Sequence, residues 1–144
     1  MLQQVETIFE DMAPMLKGLK KKNYEVNMKA FREKNNEFFF SMMDQLKIEN
    51  KEVVAQHMAN SFVAAVKQLF EKKGKIKGNM QMDLNFFMIY YVFPAILMTQ
   101  SDDAKLMADT LCETWGKSFK DSKIGYTDYD TLYKSFKEKI FGIF

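Results

Sequence analysis

The chain of 144 residues is long enough for one hydrophobic core and too short for two domains of ordinary size. Its hydrophobic content of 47% and charged content of 28% exclude a disordered chain and a chain that crosses a membrane several times. The net charge of +2 indicates no strong attraction to polyanions, and the single cysteine and single histidine exclude a disulfide framework and a zinc site with three or four such ligands.

Apolar residues recur at spacings of three and four, which predicts an all-α fold. A first helix is predicted over residues 2–22, with a kink or restart at Pro14. Acidic Glu6 and Glu10 stand where a signal peptide needs a positive start and an apolar stretch. Together with the lone Cys112, this pattern indicates a cytoplasmic location.

The second helix is predicted over residues 23–46, with Asn23 as its N-cap. Its apolar positions form a seam of coiled-coil type that contains one asparagine. The candidate interface in this seam consists of Met28, Phe31, Asn35, Phe38 and Met42. In an oligomer Asn35 would set the register, whereas in a monomer it would hydrogen-bond a neighbouring helix or face water, and we favour the monomer.

The third helix is predicted to begin at an Asn50 cap and to end at Gly74, with a broad apolar face that includes Val53 and His57. We expect His57 to be a partly buried imidazole with a hydrogen-bond partner. The alternative is a proton-handling or ligand-orienting group in a pocket.

Residues 72–79 form the one break in composition that resembles a linker, between two three-helix halves of a single domain over residues 1–144. Gly78 follows Gly74 too closely for a nucleotide-binding P-loop, and no strand is predicted before this segment. A solvated loop is therefore favoured over an anion-docking patch. The candidate patch consists of Lys72, Lys73, Lys75 and Lys77.

The fourth helix, predicted over residues 80–98, is apolar on every side and should lie at the centre of the molecule. Its longest apolar run falls short of the roughly 20 residues that a membrane helix needs. Pro94 should kink it or end it. If they are buried, Tyr90 and Tyr91 need hydrogen-bond partners for their hydroxyl groups.

A fifth helix is predicted over residues 102–121, with a capping sequence at Ser101 and an inward-facing Trp115, and a sixth over residues 128–142. The chain is therefore predicted to be a single-domain, all-α bundle of about six helices around the central apolar helix. Acidic neighbours of Cys112 would raise the pKa of its thiol, which favours a packing role over a nucleophilic one.

No catalytic constellation, metal site or cofactor motif emerges from these patterns, and no signal for specific nucleic-acid binding does either. We expect a non-catalytic protein that binds another protein or associates with itself. The alternative is a receptor for a small apolar ligand beneath the central helix, and the third possibility is weak polyanion docking through the lysine loop. The candidate pocket residues are His57, Tyr90, Tyr91 and Trp115.

Overall fold

The computed structural model describes residues 3–8, 10, 21–48, 50–72 and 87–119. These residues are predominantly helical and contain no strand, which confirms the all-α prediction. Besides the helical residues 3–8, the elements are α1 (Lys21–Ile48), α2 (Lys51–Lys72), a π-helical turn (Met88–Val92), α3 (Phe93–Leu97) and α4 (Ala104–Phe119). The predicted sixth helix and the predicted start of the fourth, residues 80–86, lie outside the described residues.

Two of the predicted helix caps are confirmed. The Val54 N–H donates to the Asn50 carbonyl at 3.0 Å, so Asn50 is the N-cap of α2. At the start of α4 the Asp103 N–H donates to Ser101 Oγ at 3.3 Å, so the capping sequence closes as expected. The predicted cap at Asn23 is wrong, because α1 already begins at Lys21. Lysine has a good helix propensity, so the two lysines before Asn23 can be part of the helix.

The described part of the central helix is almost completely buried. Phe87, Tyr91, Phe93 and Ile96 have no exposed surface, as expected of a helix without a polar face. Pro94 does not end the helix. Instead the Phe93 N–H donates to the carbonyl of Met88, five residues back, which is the hydrogen-bond pattern of a π-helix. In a regular α-helix the proline ring would clash with a backbone carbonyl group of the preceding turn. The wider π-helical turn makes room for the ring.

One hydrophobic core contains residues from every described helical segment, including those on both sides of residues 72–79. α2 packs most extensively on α4, and α1 packs on α2 and α3. The salt bridge from Lys51 Nζ to Asp103 Oδ1, at 3.1 Å, joins the starts of α2 and α4. Further along the same two helices, Gln56 Nε2 donates a hydrogen bond to Thr114 Oγ1 at 3.0 Å.

The buried face of α2 includes the predicted Met58, Phe62, Ala65, Val66 and Leu69 but leaves out Val53 and His57. Val53 is 63% exposed and His57 is also exposed, whereas Ala55 and Ala59 are fully buried. Small side chains let the axes of packed helices approach one another, so a line of alanines can form a contact face that a search for large apolar residues overlooks.

An aromatic cluster centred on Phe31 connects α1 to the central helix. The ring centroids of Phe31 and Tyr91 lie 5.3 Å apart, and those of Phe31 and Phe87 lie 6.4 Å apart, both in edge-to-face geometry. Such pairs add about 0.5–1.5 kcal/mol beyond the burial of their area. The central helix is thereby fixed against the first half of the chain.

Candidate functional site

An open cleft of about 750 Å³ lies between the helical residues 3–8, α1 and α2. Val5 and Ile8 are buried in the core and hold residues 3–8 in place beside the two longer helices. The cleft is therefore built by three helical segments that are distinct in sequence. Its polar lining residues include Gln3, Gln4, Thr7, Asn35, Ser41, Gln45, His57 and Ser61.

The α1 wall of the cleft is a continuous strip along one side of the helix. It begins at Lys34 and ends at Gln45, with Phe38 and Ser41 between them. At 1.5 Å per residue, this strip is about 16 Å long.

The walls of the cleft carry groups that can form hydrogen bonds. The Thr7 hydroxyl donates to the Gln3 carbonyl at 2.9 Å, which leaves its oxygen as an acceptor. One N–H of the Asn35 amide donates to the Phe31 carbonyl at 3.0 Å. Within the described part of the chain, no hydrogen bond occupies the side-chain amides of Gln4 and Gln45, and both residues are exposed. These two amides are available to a ligand.

The floor of the cleft contributes little apolar surface. Ile8, Met42 and Met58 all line it, but they are only 3%, 3% and 4% exposed. Phe38 is half-buried and packs edge-to-face on Phe39, with ring centroids 5.1 Å apart. Over all the lining atoms of the cleft, the surface that a ligand meets is about equally polar and apolar.

Both signs of charge occur in the described lining, as Lys34 and Glu37 on the α1 wall. The imidazole of His57 stands on the α2 wall and is exposed. The expectation that His57 is partly buried is therefore wrong, because the packed face of α2 lies on another side of the helix and leaves this position in solvent.

The other three predicted pocket residues do not line the cleft. Tyr91 and Trp115 are buried in the core, and Tyr90 is half-buried beside it. Burial raises the pKa of the Tyr91 hydroxyl above its ordinary value, and the neighbouring Asn27 side chain acts in the opposite direction. His57 is thus separated from the aromatic residues with which sequence reasoning grouped it.

The residues of the predicted interface seam pack mainly inside the chain. Met28, Phe31 and Met42 are buried in the core, Asn35 is 9% exposed, and Phe38 packs against the core from its edge. The amide of Asn35 bonds within its own helix, to a carbonyl one turn back. In this structure, the seam contacts the chain's own helices.

The candidate lysine patch lies at the limit of the described chain. Lys72 is the last residue of α2, and its side chain lies outside the described residues, as do Lys73, Lys75 and Lys77.

Sequence reasoning missed most of the polar cleft residues. Gln3, Gln4 and Gln45 carry no motif, and they come together only because residues 3–8 pack beside α1 and α2. The one local signal is the pair Ser41 and Gln45, which lie one turn apart next to the apolar seam.

Among the described residues, no group of three or more His, Cys, Asp or Glu side chains is placed to hold a metal ion. None of the described helices combines the length and the apolar character that crossing a membrane requires. Comparison with protein-family models, with curated proteins and with solved structures finds no match for this chain.

Proposed function

We propose that the protein is a non-catalytic binding module and that the cleft between residues 3–8, α1 and α2 holds a segment of a partner protein. The observation that supports this role is the cleft itself, whose volume of about 750 Å³ falls within the range of roughly 300–1,000 Å³ common for binding sites. Its lining combines hydrogen-bonding groups with about as much apolar surface, which suits a peptide segment that carries both kinds of group.

The exposed apolar side chains of α1 give weaker support to self-association. Val26, Phe40 and Ile48 are exposed, but they follow one another at intervals of 14 and 8 residues. These intervals correspond to about 21 and 12 Å along the helix, so the three side chains form no continuous patch. A partner protein in the cleft is therefore the stronger proposal than a second copy bound through α1.

The alternative of a small apolar ligand beneath the central helix has less support from the described residues. Its candidate lining, Tyr91 and Trp115, is packed in the core. A cytoplasmic location stays part of the proposal because the chain has one cysteine and thus no internal disulfide.

Selection from a random peptide library tests this function, because such a library offers the cleft segments of many different sequences. A heptapeptide library displayed on phage is panned against the immobilised full chain, and each enriched peptide is then synthesised and titrated. Ser41→Trp places a large ring in the cleft, whereas Asn36→Trp places the same ring on an exposed site of α1 outside the cleft lining.

We expect enriched peptides to bind the unmodified chain and Asn36→Trp equally, and to lose at least tenfold in affinity for Ser41→Trp. Peptides that bind both variants equally, or a library that yields no enriched peptide, would contradict the proposal. Circular dichroism of both variants checks that the helices remain intact.

A further inference from the structure

We infer that Asn35 is a specificity-determining residue of the cleft, because a partner segment that covers it must bring an N–H or O–H donor to its side-chain oxygen. This inference rests on the proposed function and assigns a role to one residue of that site. It follows from the burial of Asn35, from its place in the lining and from the one hydrogen bond that its amide makes.

Asn35 differs from the other polar residues of the lining in its burial. Only 9% of its surface is exposed, whereas Gln4, Ser41 and Gln45 are exposed residues of the same lining. Phe31, one turn before Asn35, belongs to the hydrophobic core. A polar group in such surroundings depends on hydrogen-bond partners in the protein or in a ligand.

The amide of Asn35 is satisfied on one side only. Its Nδ2 group donates to the Phe31 carbonyl at 3.0 Å, and Oδ1 accepts no hydrogen bond within the described part of the chain. Oδ1 is not one of the described side-chain atoms that are sealed from solvent without a partner, so it reaches the accessible surface. Since Asn35 lines the cleft, this oxygen is an acceptor for whatever occupies the cleft.

This acceptor makes a demand on any ligand that covers it. While the cleft is open, water can donate to Oδ1. A segment that closes over Asn35 displaces that water, and it either replaces the hydrogen bond or leaves the oxygen buried without a partner. A buried acceptor therefore rejects ligands that lack a donor at this point, whereas the exposed amides of Gln4 and Gln45 can still turn to solvent.

The position of Asn35 in the apolar seam predicts opposite effects on stability and on binding. Its Nδ2 bond goes to a carbonyl of its own helix and joins it to no other helix. Asn35→Leu keeps the branching of the side chain and exchanges a buried amide for an apolar group, so it should raise the urea midpoint while it weakens binding. A residue with a merely structural role would lower both.

Heptapeptides enriched on the unmodified full chain are the probes, and their affinities are measured for three variants. Asn35→Leu removes the oxygen, Asn35→Ala removes it without added volume, and Asn36→Leu changes the exposed neighbour outside the lining. We expect both changes at Asn35 to weaken binding about tenfold, and Asn36→Leu to change it by less than about twofold.

Removal of donors from the peptide identifies the group that contacts Asn35. Each backbone N–H is replaced in turn by an N-methyl group, and each donor side chain is replaced by alanine. Removal of one particular donor should weaken binding to the unmodified chain about tenfold, and binding to Asn35→Leu by less than about twofold, because that variant has no acceptor there.

Equal affinities of the Asn35 and Asn36 variants would overturn the inference, as would donor removals that cost the same in the unmodified chain and in Asn35→Leu. Lower urea midpoints for both Asn35 variants would also overturn it, because the amide would then support the fold. If any of these occurs while Ser41→Trp still blocks binding, the cleft remains the site and only the role of Asn35 is wrong. If Ser41→Trp has no effect, or no peptide is enriched, the proposed function fails and the inference fails with it.

Discussion

Arg32 Nη2 donates a hydrogen bond to the carbonyl oxygen of Met98 at 3.3 Å, joining the middle of α1 to the turn that follows α3. Arg32 is the only arginine in the chain. Carbonyl groups at the end of a helix lack partners within the helix, and a cationic donor near that end is stabilising. This contact therefore connects the end of the central helix to the first half of the core.

Replacing this arginine should destabilise the fold. Arg32→Met keeps most of the aliphatic stem and removes the donor, so we expect the free energy of unfolding to fall by about 1 kcal/mol. Urea unfolding followed by the fluorescence of Trp115, the single tryptophan and a buried one, measures the change. Lys29→Met on the exposed side of α1 is the control, and equal effects of the two changes would refute the role of the contact.

The turn between α3 and α4 contains a residue in a costly backbone conformation. Gln100 has a φ of 56°, in the left-handed region that favours glycine. Gln100→Gly should raise the free energy of unfolding by about 0.5–1 kcal/mol, whereas Gln100→Val should lower it by at least as much because a β-branched side chain is strained there. Thermal unfolding of both variants measures the difference. The same sign of change in both would show that the backbone angle is not the cause.

The fold class and the central helix were predictable because they depend on local pattern. A helix without a polar face can only be buried, and the fully buried Phe87, Tyr91, Phe93 and Ile96 confirm this. The helix starts at Asn50 and Ser101 were predictable from local pattern as well, because asparagine and serine are favoured N-cap residues and helix-forming residues follow them. The π-helical turn was not predictable in detail, because a proline in an apolar run allows either an end of the helix or an irregular continuation.

The cleft was not predictable because it depends on tertiary packing. The position of residues 3–8 beside α1 decides that Gln4 and Gln45 face one cavity, and no spacing in the sequence encodes that pairing. His57 was misplaced for a related reason. Its neighbours Val53 and Val54 suggested an apolar face, whereas the buried residues of α2, among them Ala55, Phe62 and Val66, lie on another side of the helix.

The alanines of α2 provide a further stability test. Ala59 is fully buried, and Ala64, on the same helix, is exposed. Ala59→Leu inserts three carbon atoms into a filled core and should lower the free energy of unfolding by about 1–3 kcal/mol. Ala64→Leu adds the same atoms in solvent and should change it by less than about 0.5 kcal/mol. Urea unfolding of the pair checks this, and equal tolerance of both leucines would mean that the core around Ala59 is not closely packed.

Alkaline pH should destabilise the protein through Tyr91. Burial raises the pKa of this hydroxyl in the folded state above the value of 10.0 that it has when unfolded, although the neighbouring Asn27 side chain acts against the shift. The folded state therefore holds the proton more tightly, so this contribution to stability is complete below about pH 10 and is lost as the pH rises through the folded-state pKa.

Tyr91→Phe removes the titrating group and should flatten the fall in urea midpoint between about pH 9 and pH 11. Tyr90→Phe, at the half-buried neighbour, should keep the steep fall. Parallel pH profiles for the unmodified chain and Tyr91→Phe would show that other groups cause the alkaline loss of stability.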